Sequence, residues 1–416
     1  MIIYDNIHGY ISVDDLAISI IDTPIFQRLK YINQTGVLYM VFPSANHSRF
    51  AHSIGTYYLA NQMIKNLAYK HPEININEEI IQLVSIAGLC HDLGHLIYSH
   101  LFDNYFLKKL PPYQELKNIT KYVSHENRSI YLLHHLVERY NIKLNLDQLK
   151  VICDLIDPYS AEYNKWLEKY QIGKWIFQII SNPVNSIDVD KFDYLIRDTQ
   201  SVGLKFSFNF SRIIKDAKII NNQICYSLQC SEDIYHMFFI RYRLHRQIYN
   251  HKTVQSLEIL IVKLLFELEK EIKLSEYILN SDKMLLLVDY FIWTQTKNDN
   301  IIKLINDIHM RNIPKLVYQD ISLNINDFIN LETKIKETFD TNIYEIIIFQ
   351  VGYANNTSNP LNKILFYNNK TNEVITNNKV KNFSLLLNQN HQEYVFRVYC
   401  IDLTKLNLFY QFFKNI

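Results

Sequence analysis

Apolar residues recur at helical spacing through roughly the first three quarters of the chain, then give way to short β-rich runs. From Ala51 to about Tyr69 they include Ile54, Tyr58, Leu59 and Ile64, the stripe of an amphipathic helix. A second helix is predicted after Asn77, where Glu78 and Glu79 suit the positive end of the dipole, running on through IIQLVSIAGLCHDLGH. That stretch is apolar nearly all round, as a central core helix would be. A helix around Ile21–Tyr31 is opened by Asp22 and Pro24. Further helices fit Glu126–Tyr140, Glu162–Ile180, Asp188–Thr199, a long segment Ser231–Leu274, and Lys283–Thr296. Beyond about Gln319 the runs YEIIIFQV, KILFYN and EYVFRVYC are divided by Asn-rich turns such as NNTSN and YNNKTN. The expectation is a mainly α protein, with a helical domain at about 1–318 and a smaller C-terminal α+β lobe at about 319–416.

Composition narrows the class. Only 8 Gly and 9 Pro in 416 residues favour long, uninterrupted elements, and 13% aromatic content excludes a disordered chain. Lys and Arg total 43 against 42 Asp and Glu, so the formal charge is +1. That balance argues against a dominant basic nucleic-acid surface. The five cysteines, Cys90, Cys153, Cys225, Cys230 and Cys400, show no CxxC pair, which disfavours a disulfide scaffold or a zinc knuckle. No secretory leader pattern opens the chain, and no apolar run reaches the roughly 18 residues of a membrane span. A soluble, intracellular protein with no membrane partner is expected.

The dense chemistry lies in CHDLGHLIYSH, with His91, Asp92, His95 and His100. On a helix, His91 and His95 would share one face while Asp92 is displaced around the axis. Imidazole with carboxylate suits a divalent Mn, Mg, Fe or Zn ion better than a soft thiolate set would. An adjacent His-Asp pair needs further ligands from other helices, and His52 and Asp190 fit. Asp188, Asp190, Asp193 and Asp198 sit among Ile, Val, Phe and Leu, where a carboxylate is costly to bury unless paired or bound to a cation. His8, His47, His71, His134, His135, His236, His309 and His391 read as ordinary surface or core histidines. Cationic groups for a phosphoryl substrate are Arg49, Lys191 and the segment FIRYRLHRQIYNHK, which carries Arg241, His245 and Tyr249. Read from its residues alone, that segment is equally a solvated basic face.

The ordered series His52, His91–Asp92, Asp190, with the blocks IHGYI, IIDTPIFQRLKYINQTG, VFPSANHSRFAHSIG, IAGLCHDLGHLIYSH, IDVDKFDYLIRD, YNHK and FRVYC, resembles the HD-domain phosphohydrolases. Within them it is most similar to the deoxynucleoside triphosphate triphosphohydrolases that also carry a SAM domain, which has no counterpart here. The resemblance implies a helical HD core in which His52, His91, Asp92 and Asp190 hold the metal. It implies that Arg49, Lys191, Tyr194 and Arg241 grip a triphosphate, with His245 beside them. His95, His100 and His125 would line the reaction site together with Asp92, His100 delivering a proton to the leaving oxygen. Gln34, Asp198 and Tyr249 would face the sugar. The implied partners are a nucleotide substrate and further copies of the chain, as dimer or tetramer.

Some positions depart from that pattern. Thr35 stands where the branch has a Leu that crowds a ribose 2′-hydroxyl. Basic residues of its nucleotide-activator site correspond here to Lys30, Met1, Asn369 and Asn377, and a Lys/Arg-rich stretch to Ile321–Phe328. Neutral amides cannot replace ammonium charges facing a polyphosphate, so that activator site is expected to be weakened or absent. The rival expectations are an HD hydrolase of another nucleotide or phosphoester, and a non-catalytic nucleotide-binding scaffold.

Overall fold

The computed structural model describes residues 1–110, 122, 124–158, 164–205, 208–295, 298–354, 359–376 and 390–415. The fold is mainly helical. A hairpin of Ile2–Asp5 and Gly9–Ser12 leads into helix Asp15–Ile21, capped by the Asp14 carboxylate. The expected helix at Ile21–Tyr31 is divided: Thr23, not Asp22, caps a single turn Pro24–Gln27, followed by a 3-10 turn Arg28–Tyr31. Asp22 instead closes the preceding helix.

The centre of the molecule is the pair of helices Arg49–Lys70 and Glu78–Cys90, joined through the Asn77 cap. Ile54, Leu59, Ile64, Val84, Ile86 and Leu89 bury almost completely between them and their neighbours. Helix Val189–Ser201 packs on the first of these, and helix Leu146–Ile156 on the second. The chain expected to be one helix from Ser231 to Leu274 is two, Ser231–Arg243 and Lys252–Ile272, with a π-turn Leu244–Tyr249 between them. Helix Asn164–Tyr170 and a 3-10 turn Lys174–Gln178 replace the single helix expected to end at Ile180. In the Lys283–Thr296 region the structure has the short helix Ser281–Met284 and a 3-10 segment Asp289–Thr294. Glu162, Thr296 and Asn377 lie outside the described residues.

In the C-terminal region, Gln392–Cys400 is the central strand of a three-stranded antiparallel sheet, flanked by Lys315–Ser322 and Tyr344–Gly352. Helices Ile329–Thr338 and Leu406–Lys414 cover it over a small core of Phe328, Ile335, Phe396, Val398 and Phe409. A second sheet mixes both parts of the chain: Gln223–Ser227 pairs antiparallel with Lys218–Ile220 and parallel with Leu365–Tyr367. Among the described residues no helix is long and apolar enough to cross a membrane.

Candidate active site

The sequence places His91 and His95 on a continuing helix; the structure does not. The helix ends at Cys90, and residues 91–94 form a turn. The ending is imposed from outside. Arg28 Nη1 donates to the His95 carbonyl at 2.9 Å, and its Nη2 to that of Leu93. Arg128 Nε donates to the Gly94 carbonyl at 2.8 Å, and Ser129 Oγ to that of His91 at 2.6 Å. Carbonyls that a helix would pair internally are thus taken by buried side chains of other elements. Gly94 permits the approach, because a Cβ there would lie 2.1 Å from the His125 carbonyl oxygen.

The turn aims His91 and Asp92 at His52 and at Asp190, which sits in the first turn of helix Val189–Ser201. His52 Nε2 lies 3.1 Å from Asp190 Oδ1 and 3.7 Å from Asp92 Oδ2. His91 Nε2 lies 3.4 Å from Asp92 Oδ1 and 3.6 Å from Asp190 Oδ1. Donor atoms of His52, His91 and Asp190 all lie within 4.8 Å of one another, as around one ion at bond lengths of about 2.0–2.2 Å, while Asp92 meets the two histidines through different oxygens. The tautomers fit as well. His52 Nδ1 meets Asp193 Oδ2 at 2.7 Å, and His91 Nδ1 meets the Gly88 carbonyl at 2.8 Å. Both Nε2 atoms are buried and lack a hydrogen-bond partner, as lone pairs awaiting a cation would be. The pocket favours positive charge: against burial, His52 and His91 hold the Asp190 carboxyl far below its usual range, while Asp190 and Asp193 raise the His52 imidazole, so a bound cation would displace a proton there.

Asp193 is a contributor that the sequence reading left unassigned. Its carboxylate serves His52, receives Arg197 Nε at 2.9 Å and Nη2 at 2.8 Å, and touches His8 Nε2 at 2.7 Å. Gly55 makes room for it: a Cβ at that position would fall 1.9 Å from Asp193 Oδ1. The spacing Asp190–Asp193, one helical turn, was the available signal.

A second cluster adjoins the first. His95 Nε2 lies 3.3 Å from Asp92 Oδ1, and the rings of His95 and His125 stack at 4.1 Å, with His100 edge-on to both. Nitrogens of these three histidines lie within 4.8 Å of one another. His95 is buried, whereas His100 has an open face to solvent. The charges of His125 and Arg49 hold the His100 imidazole below its ordinary value. His100 follows two successive residues in the left-handed region, Tyr98 (φ 50°) and Ser99 (φ 56°), a conformation that costs about 1–2 kcal/mol per residue.

The cations expected to meet phosphate all have protein partners here. Arg49 bonds Asp92, Ser99 Oγ at 2.7 Å and the Gln34 carbonyl at 3.3 Å. Lys191 Nζ bonds Asp188 Oδ2 at 2.8 Å, and Arg241 Nη1 bonds the Gly352 carbonyl at 2.6 Å. A guanidinium has five donors and an ammonium three, so the bonds of Arg49 and Lys191 still leave capacity for an anion. Tyr194 stands edge-on to His52 at 6.5 Å, on the same helix as Asp190. His245, carried on the π-turn, meets Tyr249 at 5.0 Å.

The three residues expected to face a sugar are joined through one that was read as ordinary, His47. Gln34 N donates to the His47 carbonyl at 3.0 Å; His47 Nε2 meets Asp198 Oδ1 at 2.7 Å; Tyr249 donates to Asp198 Oδ2 at 2.5 Å. Gln34 Oε1 is buried and unpartnered.

The HD domain profile matches residues 49–197, from Arg49 to Arg197, and the chain belongs to the HD-domain family of metal-dependent phosphohydrolases. It is similar along nearly its whole length to a putative HD domain-containing protein of Acanthamoeba polyphaga mimivirus, at 32% identity over 97% of this chain and 93% of the relative. It is also similar to the deoxynucleoside triphosphate triphosphohydrolase SAMHD1 of Homo sapiens, at 30% identity over 98% of this chain and 71% of the relative. The SAMHD1 homolog of Dictyostelium discoideum is 34% identical over 76% of this chain and 60% of the relative.

Proposed function

We propose that this enzyme hydrolyses deoxynucleoside triphosphates to the deoxynucleoside and inorganic triphosphate. One observation carries the reading: a metal-ready quartet and a trio of histidines share the Asp92 carboxylate, beside a polar chain running from Gln34 to Tyr249. The names of the SAMHD1 relatives support the substrate class.

A divalent cation, Mn, Mg, Fe or Zn by its nitrogen and oxygen donors, would be held by His52, His91, Asp92 and Asp190, where it polarises a phosphoryl oxygen and acidifies water. The chain's own residues do the rest. Arg49, Lys191, Tyr194 and Arg241, with His245 beside them, bind the triphosphate and stabilise charge spreading over its oxygens. Gln34, Asp198 and Tyr249 orient the sugar. Asp92 orients the attacking water toward the α-phosphorus. As the bond from that phosphorus to the 5′-oxygen breaks, His100 donates a proton to the departing oxygen, with His95 and His125 packed against it. Assembly into dimers or tetramers belongs to the same reading.

Thr35 favours one second reading, in which ribonucleotides are accepted too, because its small polar side chain replaces a crowding Leu. Incubation with each deoxynucleotide and ribonucleotide plus Mg or Mn, with products separated by chromatography, tests both. Deoxynucleoside with triphosphate supports the proposal; monophosphate products or no turnover refute it.

A further inference from the structure

We infer that Asp289, which lies outside the four proposed ligands and the three histidines, is a positioning residue that fastens the segment at Asn33–Gln34 to the turn presenting His100. The inference rests on the proposed role of His100 as leaving-group acid. Asp289 opens the 3-10 segment Asp289–Thr294 and is 5% exposed. Its two carboxylate oxygens are divided between two distant pieces of chain. Oδ2 accepts the backbone N–H of Asn33 at 2.8 Å, next to Gln34, and Oδ1 accepts that of Tyr98 at 2.7 Å, two residues before His100. Neither N–H belongs to a helix or a strand ladder, so without Asp289 the buried Tyr98 N–H would be stranded and that of half-buried Asn33 would lose its partner.

The fastening continues on the far side. Ser99 Oγ donates to the Asn33 carbonyl at 3.3 Å and accepts from Arg49 Nε at 2.7 Å. Tyr98 and Ser99 both occupy the left-handed region, which non-glycine residues hold only when their surroundings over-determine it. The Asp289 carboxylate supplies that determination at the first of them. A carboxylate holding two N–H groups from opposite sides fixes the distance between Gln34 and His100, and so between the place where the sugar is read and the place where its 5′-oxygen is protonated.

The test separates this from a general role in folding. Asp289→Asn keeps the shape but only one acceptor oxygen; Ser99→Ala loosens the same turn without touching the buried carboxylate. Both are assayed, with thermal unfolding in parallel, on a deoxynucleoside triphosphate and on bis(p-nitrophenyl) phosphate, whose leaving group departs without protonation. The expected result is a kcat loss of about tenfold or more on the nucleotide, as displacements near 1 Å produce, and less than about twofold on the aryl ester. His100→Gln should show the same split. Equal losses on both substrates, or a split in His100→Gln that neither other variant shares, would overturn the inference while leaving the reaction intact. Wild-type protein that cleaves the aryl ester but no deoxynucleotide would remove the functional reading itself, and the inference with it.

Discussion

His52 and Asp193 face each other across two helices at 2.7 Å, and the carboxylate fixes which imidazole nitrogen is left to bind a cation. Residues that hold a ligating histidine in this way tune metal affinity without touching the ion. Asp193→Asn should therefore weaken cation binding by about 10–100-fold while all four ligands remain. Titration calorimetry of the metal-stripped variant against Mn checks this, and unchanged affinity would refute it. Asp193→Ala goes further: it removes two bonds to the buried Arg197 guanidinium, which keeps Asp5 at 2.9 Å, and should cost about 1–3 kcal/mol of stability, read by denaturant unfolding.

The low pKa of His100 makes a distinct kinetic prediction. An acid must be protonated to act, and held below its ordinary value the free imidazole is mostly neutral near pH 7. A bound polyphosphate brings negative charge that raises it. The basic limb of kcat, which reports the complex, should therefore lie at higher pH than that of kcat/KM, which reports the free enzyme. His100→Gln should lower kcat by about 10²–10⁴-fold and abolish the limb. Coincident limbs in the wild type would contradict this.

Selectivity between sugars should respond to one residue. Thr35 Oγ1 bonds only weakly, to the Ala45 carbonyl at 3.4 Å, beside Gln34, which is proposed to face the sugar. Thr35→Leu should reduce turnover of ribonucleotides and spare deoxynucleotides, changing the ratio of their kcat/KM values by roughly tenfold, the scale of one apolar group. Competition assays with paired nucleotides measure that ratio directly.

Asp103 gives a stability prediction with a definite sign. Against burial, Arg128 and His125 pull its carboxyl down to about 2, below its unfolded value. Its contribution is complete above pH of about 4 and is lost as pH falls through about 2, roughly 2.5 kcal/mol in all. Asp103→Asn should flatten the stability curve between those pH values, as followed by unfolding at a series of pH values.

Activation offers a further check. Of the positions matched to a nucleotide-activator site, Asn369 accepts from Ser227 Oγ at 2.9 Å and Lys30 lies over the Phe50 ring at 4.7 Å. The enzyme should turn over without added guanine nucleotide, and addition should change kcat by less than about twofold. A monomer that is inactive until a guanine nucleotide and a deoxynucleotide are both added would refute the expectation.

The meeting of His52, His91, Asp92 and Asp190 was legible because polar residues inside apolar runs need a reason. The turn at His91 was not, because what ends the helix comes from Arg28 and Arg128, far along the chain. The division of Ser231–Leu274 was equally hidden, since neither Pro nor Gly marks it and a π-turn at Leu244–Tyr249 does the work. Helix Leu146–Ile156 was missed although its signal was present: Asn145 and Gln148 form a reciprocal capping box. His47 looked ordinary because its partner Asp198 is 151 positions away.

The parallel pairing of Gln223–Ser227 with Leu365–Tyr367 sets an order on synthesis. A strand that belongs to the helical part of the molecule cannot complete its sheet until more than a hundred further residues have left the ribosome. Until then that edge is open to other partners, and closing so long a loop is slow. A shortened chain ending near residue 318 would never outgrow that vulnerable stage, whatever the state of its catalytic residues.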